Sequence, residues 1–295
     1  MDIRAPNLFI LGAAKAGTTT LYHYLDRHPE IYFSQVKEPQ YFCHEGLYDK
    51  GMTYYLDTFF KGADRFRVRG EATPHYLYYE KAARRIANDL NRENLRFIVI
   101  LRDPVARAYS LYWNMVAEGI EPLSFEQAIE AEKTRLNDPE LEYSGSVSFQ
   151  YLDSGLYTKQ IESYLKYFNK RQFLFVLFDD LSSNPQSVLN EVCDFLEISR
   201  FNILPEIRKT NASNMPRSQR LHTFLRGSGR VKHFVGGLLP STLKYKVMEI
   251  LIDANKRSVR YPEMCVETKD KLKKYFSADL IALEEMTGKS LENWL

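Results

Sequence analysis

The sequence predicts an α/β protein: a parallel sheet covered by helices on both faces, with a helical C-terminal third. Two observations predict it. Short apolar runs of strand length alternate with stretches of helical periodicity, and Gly or Pro marks the junctions between them.

The elements follow in order. Asn7–Leu11 is an apolar run closed by Gly12, which suits a buried strand. A helix pattern runs from Thr18 to about His28, with Leu21, Tyr24 and Leu25 on one face and Pro29 just beyond it. Phe66–Gly70 is a second strand and Lys81–Leu90 a helix. Leu95–Leu101 is the strongest strand. Pro104 follows it where a first helical turn accepts proline, and a helix continues to about Glu118. Gly155–Phe168 and Pro185–Leu196 read as helices on either side of a strand at Phe173–Phe178. One domain is expected, with an α/β core over 7–198, a basic lid or acceptor segment over 199–262 and a C-terminal helix over 263–295.

Two segments carry chemistry. The first strand ends in Gly12-Ala13-Ala14-Lys15-Ala16-Gly17-Thr18-Thr19-Thr20 and then a helix. Small residues let backbone N–H groups approach an anion. The helix N-terminus adds partial positive charge, and Lys15 adds a full one. The bland alternative is a tight turn with a Thr cap, but a lysine inside a Gly/Ala turn has no packing reason. The turn departs from the Walker A pattern, because Lys15 precedes Gly17 by two residues instead of following it. The second segment is Arg102-Asp103-Pro104-Val105-Ala106-Arg107-Ala108-Tyr109-Ser110, where an Arg leads out of a strand as if to a second anion. About two helical turns let Arg102 and Ser110 face one phosphate.

These segments resemble the family of sulfotransferases that use 3′-phosphoadenosine 5′-phosphosulfate (PAPS), a branch of the P-loop superfamily. Lys15-Ala16-Gly17-Thr18-Thr19 is similar to its 5′-phosphosulfate loop and Arg102 to Ser110 to its 3′-phosphate motif. Lys37-Glu38-Pro39-Gln40-Tyr41-Phe42 is similar to the Lys-Glu-Pro stretch of the heparan-sulfate O-sulfotransferase group. Gly70 to Tyr76, Ser154 to Tyr157 and Gly288 to Trp294 resemble further landmarks, and Asn211 to Ser218 a loop of bacterial members. The resemblance covers most of 7–198 and the C-terminal tip.

The resemblance implies a P-loop sulfotransferase-like fold with PAPS as co-substrate and no metal. Lys15, Ala16, Gly17, Thr18, Thr19, Arg102, Ser110, Tyr157 and Arg217 would bind the donor. Lys15 would neutralise the leaving phosphate oxygen. Glu38 would take the acceptor proton, with Glu71 and His75 as rival bases; His44 is noted because small-molecule members often use histidine. Ala72 stands where the group usually has a lysine, which puts one cationic contact in doubt. Two other readings stay open: a P-loop small-molecule kinase, which would need Mg²⁺, and a non-catalytic nucleotide-binding protein.

Composition narrows the partners. Lys plus Arg is 40 and Asp plus Glu 38, a balance that argues against a nucleic-acid partner. Three cysteines without a CxxC argue against a disulfide scaffold and a cysteine zinc site. No apolar run approaches the roughly 18 residues of a membrane span, and no secretory signal is visible; a cytoplasmic enzyme with no transmembrane anchor is expected. Between Arg208 and Arg260 there are twelve Lys/Arg and two Asp/Glu, so part of this stretch could face an anionic ligand or glycan. Phe234–Pro240 is an apolar patch suited to a lid or to a homodimer contact. The expected acceptor is a hydroxyl, or an amine, of a small molecule, a natural product first, with a glycan or glycolipid as the alternative.

Overall fold

The computed structural model describes residues 2–34, 36–136, 148–206, 214–218 and 255–295. Among them the chain runs β1 (Leu8–Gly12), α1 (Thr18–Leu25), β2 (Ile31–Phe33), α2 (Glu45–Tyr48), α3 (Gly51–Phe59), β3 (Val68–Ala72), α4 (Glu80–Asp89), β4 (Arg96–Leu101) and α5 (Pro104–Glu118). It continues through α6 (Phe125–Leu136), α7 (Tyr157–Leu165), β5 (Phe173–Leu177), α8 (Phe178–Ser183) and α9 (Pro185–Phe195). A short antiparallel pair, β6 (Asn214–Pro216) and β7 (Lys256–Ser258), precedes the last helix, α10 (Val266–Thr287).

β1 to β5 form one parallel sheet in the order β2-β3-β1-β4-β5. Its central strands are apolar on both faces: every residue of β1 is buried, and so is β4 beyond Arg96. This is what helices on both sides require. Phe9, Phe97 and Phe173 sit opposite one another on β1, β4 and β5, and their rings stack in a row with centroids 6.0 and 4.9 Å apart. Gly70 packs where a Cβ would come within 2.8 Å of the Phe33 ring, so a side chain there would part β2 from β3.

The sequence reading differs from the structure in identifiable places. The second strand is Val68–Ala72, not Phe66–Gly70. Pairing decides this: Val68 to Gly70 match Ile31 to Phe33, while Gly70 to Ala72 match Leu8 to Ile10, which draws Glu71 into the sheet despite its poor strand propensity. Phe178 leaves the predicted last strand to begin α8. β2, three residues long, and helices α2, α3, α6 and α8 were not anticipated. The apolar patch Phe234–Pro240 and most of the basic 208–260 stretch lie outside the described residues.

Chain order places the site. From β1 the chain moves outward to β2, returns through β3 and crosses β1 to β4, so the direction of winding reverses between β1 and β4. In an open parallel sheet the crevice at the carboxyl ends of such strands is where ligands bind. The turn after β1 carries Lys15, and the residue after β4 is Arg102.

Candidate active site

The turn after β1 sets a lysine beside the uncapped amides of a helix N-terminus. Lys15 and Gly17 are left-handed, at φ 67° and 91°. No side chain caps α1 and its first turn has no acidic residue, so the N-terminal amides of Thr18 and Thr19 face no competing charge. The Ala16 N–H closes the turn on the Ala13 carbonyl at 3.1 Å, and Ala16 is buried. Lys15 Nζ donates to Asn114 Oδ1 at 2.8 Å. Burial, then the nearby Arg102 charge, pushes its ammonium down to about 8; Glu38 and Glu118 pull the other way. A lysine held by a neutral amide, with no direct carboxylate contact among the described residues, fits a site that receives an anion.

Gly17 makes the turn possible in a second way. A Cβ there would lie 2.9 Å from the Phe178 ring. That ring carries the Arg102 guanidinium, 4.6 Å from its centroid. Gly17→Ala is therefore expected to cost about 1–3 kcal/mol, from the left-handed backbone and the displaced ring. Urea unfolding measures it, and wild-type stability would contradict this account of the turn.

Arg102 Nη1 donates to the Lys15 carbonyl at 2.8 Å, so the lysine turn and the segment after β4 are tied directly to each other. Asp103 caps α5, accepting the Val105 N–H at 2.9 Å, with Pro104 in the first turn. This capping turn starts the helix that carries Ser110. Ser110 and Asn114 are half-buried and one turn apart on the same side of α5. Tyr157 is fully buried and its hydroxyl donates to the Arg102 carbonyl at 2.8 Å, so it supports Arg102 from the core side. Arg217 directly follows β6, which packs against α5, and is exposed. On α5, Trp113 stacks on Tyr261, 4.8 Å apart and nearly parallel.

Glu38 lies in the loop after β2. Its carboxylate takes the Lys37 ammonium at 2.8 Å and faces His75 Nε2 at 3.5 Å. Burial alone would raise its pKa, but His75 and Lys37 outweigh it and hold the carboxyl at about 2. Glu38 and Gln40 are both left-handed, at φ 66° and 56°, around Pro39. Such residues cost roughly 1–3 kcal/mol each and need outside support.

Glu71 is different. It is fully buried, and its carboxylate accepts the Tyr55 hydroxyl at 2.5 Å, Thr73 at 2.9 Å and Tyr76 at 3.2 Å. Burial raises it to about 7 against the pull of these three donors. His44 sits at the head of α2, with Nδ1 buried and unbonded among the described residues.

The structure thus gathers Lys15, Gly17, Thr18, Thr19, Arg102, Ser110 and the Glu38–His75 pair at one end of the sheet. Sequence reasoning missed Asn114, although its spacing of four from Ser110 was available. It gave no role to Phe178 and Tyr55, which no local pattern singles out, nor to Thr73 and Tyr76, although both lie in the Gly70–Tyr76 landmark. Among the described residues no three His, Cys, Asp or Glu side chains converge as metal ligands, and no helix is long and apolar enough to cross a membrane.

Comparison with known proteins agrees with this geometry. Residues 5–234 match the family model described as Sulfotransferase domain. Human heparan sulfate glucosamine 3-O-sulfotransferase 3B1 is 32% identical over 197 residues, 66% of this chain and 47% of that protein. Human carbohydrate sulfotransferase 15 is 26% identical over 268 residues, 72% of this chain and 48% of that protein. The chain thus spans about half the length of the curated relatives it matches. A sulfotransferase crystal structure from Alicyclobacillus acidocaldarius superposes with a TM-score of 0.71 at 25% identity, covering 98% of both chains. With the matched domain spanning the sheet, the lysine turn and the Arg102–Ser110 segment, the chain belongs to the PAPS-dependent sulfotransferase family.

Proposed function

We propose that this protein transfers the sulfonate of PAPS to an acceptor hydroxyl. The observation that carries the reading is the direct bond from Arg102 to the Lys15 carbonyl, which joins the two anion-binding segments across the reversal point of the sheet. In this reading the amides of Gly17, Thr18 and Thr19 hold the 5′-phosphate. Arg102 and Ser110 hold the 3′-phosphate, with Tyr157 bracing Arg102 and Arg217 closing the flank. Glu38, paired with His75, takes the acceptor proton as the acceptor oxygen bonds to sulfur. The bond from sulfur to the 5′-phosphate oxygen breaks, and Lys15 neutralises that oxygen. Adenosine 3′,5′-bisphosphate leaves.

The kinase alternative is weaker on structural grounds. Asp103, the acidic residue following β4, spends a carboxylate oxygen on capping α5, and Lys15 stands before Gly17 instead of after it. For the acceptor, a small-molecule hydroxyl is the first reading. A glycan is the second, favoured by the likeness to the heparan sulfate and carbohydrate sulfotransferases. A reducing, cytoplasmic setting belongs to the same proposal and is supported by Cys43, Cys193 and Cys265 all standing outside any disulfide.

Thermal unfolding with adenosine 3′,5′-bisphosphate against ATP tests the donor. At a concentration about 100 times its Kd, a specific ligand adds about 2.7 kcal/mol, a shift of several degrees. That shift is expected for the bisphosphate, and EDTA should leave turnover of PAPS on a panel of phenols, alcohols and oligosaccharides unchanged. A larger shift with Mg-ATP, or loss of turnover in EDTA, would restore the kinase.

A further inference from the structure

We infer that Glu71 is a positioning residue that holds the loop carrying Glu38, and not a base. This rests on the transfer reading only in giving Glu38 its role; the geometry stands by itself. The Gln40 N–H donates to Thr73 Oγ1 at 3.3 Å, and the Phe42 N–H donates to the Tyr76 hydroxyl at 3.2 Å. Each hydroxyl, having accepted a backbone N–H from the loop, directs its own proton to Glu71: Thr73 at 2.9 Å, and Tyr76 with its single proton shared between the two carboxylate oxygens, both at 3.2 Å. Tyr55 adds a third donor at 2.5 Å.

In the ionised form of Glu71 the arrangement has one polarity: three hydroxyls donate, and the carboxylate accepts with two oxygens and about four lone-pair sites. Burial brings the group to about 7, so the exchange is read at pH 8 or above, where that form prevails. Glu71 is thus the acceptor on which two relays end, and each relay begins at a backbone amide of the loop. Gln40 and Phe42 bracket the C-terminal side of that loop, and the strained residues Glu38 and Gln40 fall within or next to it. Glu71 itself pairs with Phe9 inside the parallel sheet, so the loop is anchored to a strand paired on both sides. Being fully buried beneath Tyr55 and Tyr76, the Glu71 carboxylate has no open face for an acceptor.

Backbone hydrogen exchange tests this without an acceptor. Glu71→Gln puts an amide N–H₂ among three hydroxyl donors, so at least one relay must turn. Thr73→Val removes a single relay in an isosteric side chain, and Thr73→Ser keeps it. Exchange at the Gln40 amide should rise at least tenfold in Thr73→Val and return to the wild-type rate in Thr73→Ser. In Glu71→Gln, exchange at Gln40 or Phe42 should rise by a similar factor. Affinity for adenosine 3′,5′-bisphosphate should stay within about twofold in all three. With the hydroxyl acceptor that the panel yields, kcat should fall in Glu71→Gln and Thr73→Val and recover in Thr73→Ser.

Unchanged protection at both amides in Thr73→Val and Glu71→Gln would overturn the inference. So would a loss of bisphosphate affinity in step with protection, which would mean general loosening. The fate of the transfer reading is read separately: a Glu38→Gln variant that still turns over sinks the base assignment and leaves the exchange result standing. Should Glu71→Gln fail to fold, the Thr73 pair decides alone.

Discussion

Lys15→Ala is expected to lower sulfonate transfer by about 10²–10³-fold, the usual effect of removing one preorganised donor from developing transition-state charge. The fold should survive. The Lys15 ammonium is already disfavoured in the folded state by burial, which holds it at about 8. Removing it leaves Asn114 without its 2.8 Å donor, a loss of roughly 1 kcal/mol. The same shift gives donor binding a pH dependence with a definite sign. Below pH 8 the ligand-free side chain is charged and ready for a phosphosulfate. As pH rises through about 8 it loses its proton, and an anionic ligand must draw the proton back. Affinity for adenosine 3′,5′-bisphosphate should therefore fall above pH 8, by at most about tenfold per pH unit, since one proton is taken up. Calorimetric titration from pH 6.5 to 9.5 reads it. Flat affinity in the wild type, or an unchanged rate in Lys15→Ala, would remove Lys15 from the mechanism.

Glu38→Gln is expected to cost about 10²–10⁴ in turnover, the range of general-base effects, while bisphosphate affinity changes little. The direct partners of the carboxylate are Lys37 and His75, and not a group of the turn proposed to hold the donor. Held at about 2 in the free protein, it stays ionised over the working pH range. It is a weak base in the ground state, so it takes the proton only as the bond to sulfur forms. No acid loss of activity should come from Glu38 itself above about pH 3. Near-normal turnover in Glu38→Gln would move the role to His75, and His75→Asn is the companion measurement. A fall in both variants, with bisphosphate binding intact, assigns the pair as a unit.

The parts of this site that could be read from the chain are those made of neighbours. Lys15 and Gly17 sit in one turn, and the Arg102–Asp103–Pro104 run contains its own helix cap. Such signals depend on local backbone chemistry, so strand, turn and helix follow from a dozen residues. Even there the reading slipped where a partner strand decided the matter. Glu71 looked like a loop residue until its pairing with Phe9 placed it inside β3. Tyr157, grouped with the donor ligands by resemblance, spends its hydroxyl on the Arg102 carbonyl.

Sequence by itself determined the α/β class, the lysine-bearing turn, the arginine that leads into a capped helix and the family these motifs resemble. Periodicity, caps and turns act within a few residues, so they are written contiguously. Only the tertiary structure decided that β1 lies between β3 and β4, that Asn114 holds Lys15 across 99 positions, and that the Glu38 loop ends on a buried carboxylate through Thr73 and Tyr76. Those choices belong to sheet order and to hydrogen-bond polarity in a dry interior. Both are set when distant segments meet, and neither leaves a local trace in the order of residues.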